Sequence, residues 1–488
     1  TSHPTSHPTS HPTSHPTSHP TSRPTSHPTP KVLHDVLAIM SDKGLVAMEL
    51  KGAGDAELAK ADLAQAEAER EPPHPQEKVM DFVELFGESV KAGDEFQGLV
   101  DVFMKDFDDD MDGKKRRRAS VGLGQSGKGL QSGTEYVQNL VKQLINGRKQ
   151  IDASGETSEA VDNTQTLASM RVLTQMLDLN VDDDDDDDEA QKETEAKLLH
   201  RQSKLCKMGV GTVVLMMAAC EEDELCAAGV KLGVALLNRG NKEVQAEMYA
   251  LLSDQTNATK IAPFDGTTES GFLDTMKQRL RQAVKEIRER KLYLTMQEER
   301  RADFDEVTEG LSAATVVAMR TDLERDFPSR SFVLDVLELL RLMCEGHNED
   351  FQNFLREQPN ESIRNVDLVS EVYLLLSELE PEADETNIDQ VHKCVETLAE
   401  FVQGNTSGGN GRVLMDTKLL EILDRLVQKK TLAEVESAEL NQLRYAVVVL
   451  LMAMLEGTDR RVERRMLHVL NLKALAVVAG DCYKNAME

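Results

Sequence analysis

The chain has 488 residues, 40% of them hydrophobic but only 4% aromatic, contains no tryptophan and carries a formal net charge of −30. Its length allows roughly two to four domains. Cores built from Leu, Val, Met and Ala suit packed helices better than sheets, and so acidic a balance argues against a general nucleic-acid binder, which needs a basic face. Six cysteines, Cys206, Cys220, Cys226, Cys344, Cys394 and Cys482, form no disulfide framework and no CxxC pair. That fits a reducing cytosolic setting, where the sequons at Asn257, Asn360 and Asn405 go unused.

Residues 1–30 hold a tetrapeptide repeat, TSHP, with Arg23 replacing His once. Proline at every fourth position forbids helix. In a polyproline-like chain successive imidazoles stand about 12 Å apart, so a solvated low-complexity tail is expected in place of a metal site. The chain starts at Thr1 without a methionine or a signal-peptide pattern and reads as an excerpt or a truncated gene model. Residues 31–107 show helical spacing, as in Val79, Phe82, Val83 and Phe86, broken by EPPHPQ at Glu71–Gln76. A basic, Ser- and Gly-rich loop follows at 108–133. Helices with a polar linker are expected over 134–180, and an acidic linker over 181–192, where Asp182–Asp188 and Glu189 repel one another too strongly to pack.

From residue 193 the helical periodicity becomes dense. In 193–297 the apolar blocks are Met208–Ala219, Leu225–Leu237, Val244–Leu252 and the amphipathic Phe272–Leu292, with Gly240 where a helix C-cap tolerates positive φ. A charged connector over 298–330 leads to 331–488, with blocks at Phe332–Met343, Phe351–Leu355, Val366–Leu379, Ile388–Val402, Leu414–Val427, Leu440–Leu455 and Val462–Val478. No strand alternation appears. The expected class is all-α, an armadillo-like helical solenoid or bundle, although no strict sequence period marks the repeats. The apolar runs Met208–Cys220 and Ala446–Leu455 fall short of the roughly 20 residues of a bilayer crossing, so no membrane insertion by this chain is expected.

Few motifs carry chemistry. Asp108, Asp110, Asp112 and Gly113 begin like an EF-hand loop, but its twelfth position is Ala119 and Lys114–Arg118 oppose a cation. The same loop places Arg117 and Arg118 ahead of Ser120, the pattern that basophilic kinases read with acidic pockets. The plain alternative is an unmodified basic loop resting on the chain's own acidic segments. There is no GxSxG, GxxxxGK[ST] or HExxH, so no catalytic, cofactor or metal residues are assigned. Cys220 and Cys226 are the closest pair, separated by an acidic run, and a zinc site there is not expected; Cys344 with His347, with no further ligands nearby, reads as a core thiol and a turn imidazole.

The segment Leu340–Arg356, LRLMCEGHNEDFQNFLR, resembles the RIH-associated segment of the ryanodine and inositol trisphosphate receptors, the calcium-release channels of internal membranes. Arg201–Leu252, with LGVALL and RGNKEVQ, and VETLAEFVQGNTSG at Val395–Gly408 and VVVLLMAMLEG at Val447–Gly457 are similar to that family in the same order. The resemblance implies an armadillo-like cytoplasmic region of a larger channel at the endoplasmic or sarcoplasmic reticulum, relaying signals toward a pore. The ligand-binding β-trefoil and the pore helices have no counterpart in this sequence. The residues marked by the motif are structural: Leu340, Cys344, Gly346, His347, Asn348, Phe351, Gln352, Phe354 and Leu355. The expected partners are other parts of the channel assembly and a basophilic kinase. The competing reading is a free-standing helical scaffold for protein partners; an enzyme has no constellation in its favour.

Overall fold

The computed structural model describes residues 107–108, 133–147, 163–179, 188–266, 271–304, 312–323, 332–359, 365–405, 409–428, 437–456 and 460–487. The tetrapeptide repeat, the segment 31–106, the loop 109–132 with Arg117, Arg118 and Ser120, and the acidic block 182–187 lie outside the described residues. Among the described residues all regular structure is helical and there is no strand, as the aromatic-poor composition predicts.

The helices run α1 (Gly133–Asn146), α2 (Asn163–Gln175), α3 (Asp188–Lys207), α4 (Val210–Ala218), α5 (Asp223–Leu237), α6 (Lys242–Ser253), α7 (Phe272–Ala302) and α8 (Ala313–Leu323). They continue as α9 (Val333–Cys344), α10 (Glu349–Arg356), α11 (Leu368–Leu379), α12 (Ile388–Val402), α13 (Asn410–Met415), α14 (Leu419–Gln428), α15 (Ser437–Leu455), α16 (Arg460–Val469) and α17 (Leu472–Met487). Helix α7 passes Leu292 and enters the charged stretch, because Glu, Arg, Gln and Met there are all good helix formers. The apolar block Leu414–Val427 is divided between α13 and α14, where the Thr417 hydroxyl accepts from the Leu419 amide at 3.1 Å. Likewise Val462–Val478 is divided between α16 and α17, where the Asn471 side chain accepts from the Ala474 amide at 3.2 Å.

Three rows organise the packing. Helices α2, α5, α9, α12 and α15 lie side by side in that order; α4, α7, α11 and α14 form a second row, and α3, α6, α10 and α13 a third. The order is consistent with an armadillo-like solenoid. Small residues set the closest approaches. A Cβ on Gly229 would stand 2.4 Å from the Ala218 amide nitrogen, and one on Gly233 would meet Leu339 at 2.8 Å, so α5 touches α4 and α9 through glycine.

The second row is also tied by charge. Arg281, Arg288 and Lys291 of α7 pair with Glu371 and Glu378 of α11 and with Glu382 just past it, at 2.7, 2.7 and 2.5 Å. Partner numbers rise together, so the two helices run parallel. The Glu371 side chain is only 8% exposed and also meets Lys277 at 3.4 Å; the outer pairs are solvated and each contributes about 1 kcal/mol at most. Helix α15 is apolar enough over Ala438–Leu455 to cross a membrane by length and composition. Its Leu443, Val447, Leu450 and Met454 are buried and it packs on α12, while Tyr445, Val448 and Met452 stay exposed, so 39% of that window is buried.

Replacing Gly229 with Ala should force α4 and α5 apart. Since the added carbon would strike backbone, the expected loss is about 3 kcal/mol, at the upper end for overpacking, read as a lowered urea midpoint with an unchanged slope.

Candidate functional site

The segment singled out by sequence forms the turn from α9 to α10, and the structure repeats that turn. Helices α5, α9 and α12 end on Asn238, Glu345 and Gln403, with ψ of 135°, 141° and 126°. The chain then enters the left-handed region: Arg239 and Gly240 at φ 65° and 64°, Gly346 and His347 at 73° and 61°, and Gly404 at 72°. Arg239 and His347 hold a conformation that side chains rarely adopt, which marks the turn geometry as imposed by its surroundings. Gly404 lies beneath His347, where a Cβ would stand 2.8 Å from the histidine's own.

Buried amides impose that geometry. Gln202 of α3 donates through Nε2 to the carbonyls of Ala235 and Asn238 at 3.0 and 2.9 Å. Gln245 of α6 does the same to Leu342 and Glu345 at 2.9 and 3.0 Å, and Gln352 of α10 to Glu400 and Gln403 at 2.7 and 2.8 Å. In each case the acceptors are the last-turn and cap carbonyls of a first-row helix, groups that a helix end leaves without internal partners. Each glutamine oxygen then accepts from an asparagine of the adjoining turn: Asn241 to Gln202 at 3.1 Å, Asn348 to Gln245 at 3.1 Å and Asn405 to Gln352 at 3.0 Å. Asn241 and Asn348 use their own oxygens as N-caps of α6 and α10.

Leu340, Cys344, Phe351 and Leu355 are fully buried and Phe354 nearly so. Phe351 and Phe354 both present edges to Tyr249 of α6, with ring centroids at 5.4 and 5.7 Å. Sequence reasoning singled out this turn; Gln202, Gln245, Asn241 and Asn405 were not among the residues it marked. The signal it could have used is the pattern of Gly or Asn after an apolar helix with Gln four residues past an asparagine, present in both RGNKEVQ and GHNEDFQ.

A half-buried charge cluster borders this edge between α9 and α12. Glu338 accepts from Arg341 at 2.8 and 2.9 Å and from Lys393 at 2.9 Å. Burial alone would raise the Glu338 carboxyl, but the two cations hold it down at about 2. Lys393 also meets Glu396 at 2.8 Å. Burial raises the Glu400 carboxyl, helped by Glu345 and Glu396 and opposed by Arg341 and His347. Burial lowers His392 despite Glu396.

The remaining cysteines and acids do structural work. Cys220 and Cys226 donate to the carbonyls of Met216 and Ala218 at 3.3 and 3.2 Å, and burial pushes their thiols up to about 12 and about 11. Cys344 is raised too, chiefly by burial, and stays a packed thiol. Asp108, which opens the EF-hand-like string, gives both oxygens to Arg201 at 2.9 and 2.5 Å. Among the described residues no group of three or more His, Cys, Asp or Glu is placed to hold a metal ion.

Residues 328–427 match the family model described as RyR and IP3R Homology associated, a stretch covering α9 to α13 and nearly all of α14. The inositol 1,4,5-trisphosphate receptor itr-1 of Caenorhabditis elegans is 30% identical over 142 residues, which are 27% of this chain and 5% of that receptor. The chain therefore spans only a small part of the curated relative it matches. The resemblance read from LRLMCEGHNEDFQNFLR holds, and it holds for the stretch containing the Gln352 turn.

Gln352→Leu keeps the volume but strands two buried carbonyls and removes one of the two acceptors of the Asn405 amide, which keeps Asn353. It should cost about 3 kcal/mol, whereas Gln278→Leu on an exposed face should stay within about 0.5 kcal/mol, both by urea denaturation. Phe351→Ala should cost about 3 to 5 kcal/mol. Because the folded Glu338 value is depressed, its contribution is present above the ordinary value of 4.5 and is lost as pH falls toward 2. Glu338→Gln should therefore flatten the acid limb of the stability curve in that window, by about 2 kcal/mol after allowance for solvent screening of a partly exposed group.

Proposed function

We propose that this chain is a helical coupling region of an intracellular calcium-release channel assembly, acting on the cytoplasmic side of the endoplasmic or sarcoplasmic reticulum and carrying no catalyst. The observation that supports this most directly is the coincidence of the match over 328–427 with the helices whose ends are joined by Gln245 and Gln352. In this reading residues 193–297 and 331–488 are two helical units joined through the α5 and α9 contact. Helices linked end to end by buried amides move together, because packed cores shift between discrete arrangements and do not deform continuously. The chain passes on a displacement; ligand binding and conduction belong to other parts of the assembly, and no residue here is assigned to them.

Ser120, preceded by Arg117 and Arg118, is the control point of this reading. A phosphate there adds nearly two negative charges beside a basic run. Phosphopeptide mass spectrometry on native tissue should find Ser120 modified, and consistently unmodified peptides would remove the kinase from the scheme.

An antibody against the helical region should precipitate, from detergent-solubilised reticulum membranes, a polypeptide that conducts calcium when reconstituted, or a longer form of this chain that does so itself. Recovery only from the soluble fraction, with partners that lack membrane spans, would favour the free-standing scaffold.

A further inference from the structure

Along α7 the cations that reach across to the α11 side meet carboxylates, with one exception. Lys277 and Arg281 pair with Glu371, Arg288 with Glu378 and Lys291 with Glu382. The half-buried Arg290 instead donates through Nη2 to the hydroxyl of Thr386 at 2.6 Å, and among the described residues it forms no ion pair, unlike Arg288 and Lys291 on either side of it. A full guanidinium charge thus faces a neutral oxygen. One hydroxyl engages a single donor of the guanidinium fork, whereas a phosphate on the same oxygen takes two at once.

Thr386 stands where such a group can be added. It is exposed, as are Asp384 and Glu385 before it, in the turn between α11 and α12. Its hydroxyl and amide both donate to Asp384, at 2.5 and 2.9 Å. Asn387, which follows, is the N-cap of α12, but its side chain accepts from the Asp384 amide and donates to the Glu382 carbonyl. The start of α12, an end of a helix that favours negative charge, therefore has no side-chain cap.

The charge around the hydroxyl says which enzyme fits. Exposed carboxylates stand before it at Glu382, Asp384 and Glu385 and after it at Asp389. Kinases select substrates by matching charge patterns, and a kinase with a basic substrate cleft matches this segment, the opposite of what the arginines before Ser120 require. The same carboxylates repel an added phosphate. Glu382 is already met by Lys291, which leaves Arg290 as the cation aimed at the acceptor oxygen.

We propose that Thr386 is a phosphorylation site for an acid-directed protein kinase and that Arg290 of α7 receives the phosphate. The Thr386 hydroxyl attacks the γ-phosphorus of ATP: an Oγ1–P bond forms, the bond from that phosphorus to the β-phosphate oxygen breaks, ADP leaves and the hydroxyl proton passes to the base of the kinase. A charge-assisted pair replaces a hydroxyl contact. Helices α7 and α12 each pack on α11, and the phosphate ties the start of α12 to α7 directly. The site does not depend on which assembly holds the chain.

The test incubates the full chain with magnesium ATP and a casein kinase that selects acid-flanked serine and threonine, with a synthetic peptide spanning 378–391 in parallel. Phosphopeptide mass spectrometry should find Thr386 modified in both. In phosphorus NMR of the modified chain, the resonance absent from Thr386→Ala belongs to this phosphate. Its second ionisation, ordinarily near pH ~6, should move up by about one unit in Arg290→Gln, a tenfold tighter hold on the proton, because the guanidinium favours the dianion and the flanking carboxylates are the same in both chains. Arg290→Lys should restore part of the difference, and unmodified Arg290→Gln should melt as the parent does. A merely structural Arg290 would change melting and leave the titration alone. Thr386 modified in the peptide but not in the full chain, or in neither, overturns the proposal, as does a phosphothreonine that titrates alike with and without Arg290.

Discussion

A helix that ends inside a protein must find hydrogen-bond donors for its last carbonyls, and the architecture follows from how this chain supplies them. Water satisfies those groups at a surface. Along the first row the ends of α5, α9 and α12 are closed instead by Gln202, Gln245 and Gln352, which are at most 2% exposed. One amide NH2 reaches two carbonyls a turn apart, so it fixes both the position and the rotation of the helix end it caps. The same amide's oxygen is then occupied by an asparagine from the next turn. No member can be removed without stranding polar atoms on both sides, and in a low-dielectric interior each stranded atom is costly.

The linked groups also explain the strained turns. A glutamine arriving from the third row meets the cap carbonyl where the chain turns away sharply after it: two successive residues at positive φ make that turn after α5 and α9, and Gly404 alone makes it after α12. Glycine takes one of the two places without cost. Arg239 and His347 take the other at a cost, which the hydrogen bonds around them offset. Backbone strain here is thus a by-product of closing helix ends.

Much of this was legible in the sequence and part of it was not. Periodic Leu, Val and Met marked the helices because burial in a helix has a fixed period, and Val333–Cys344 and Ile388–Val402 lie almost where that period puts them. Gly240 and the CEGHN turn were visible through their backbone demands. The amide chain was not, since glutamine ordinarily reads as a surface residue and the Asn-x-x-x-Gln spacing shared by RGNKEVQ and GHNEDFQ does not by itself say which carbonyls the glutamines reach. Nor does a repeat period betray it: the bonded glutamine and asparagine lie 39, 103 and 53 residues apart. Helices α7 and α8 and loops of unequal length separate turns that are adjacent in space. The split of Leu414–Val427 was hidden because it depends on Thr417 turning its hydroxyl to an amide, not on apolar spacing.

The ties between neighbouring helices therefore differ in kind from one edge of the fold to the other. Along the edge of the amide chain, buried hydrogen bonds join successive helices in one register. Between α7 and α11 the outer ties are solvated ion pairs, individually weak and screened by salt. The CEGHN turn, with Gln245 donating to the Glu345 carbonyl and Asn348 donating back to Gln245, sits on the amide edge.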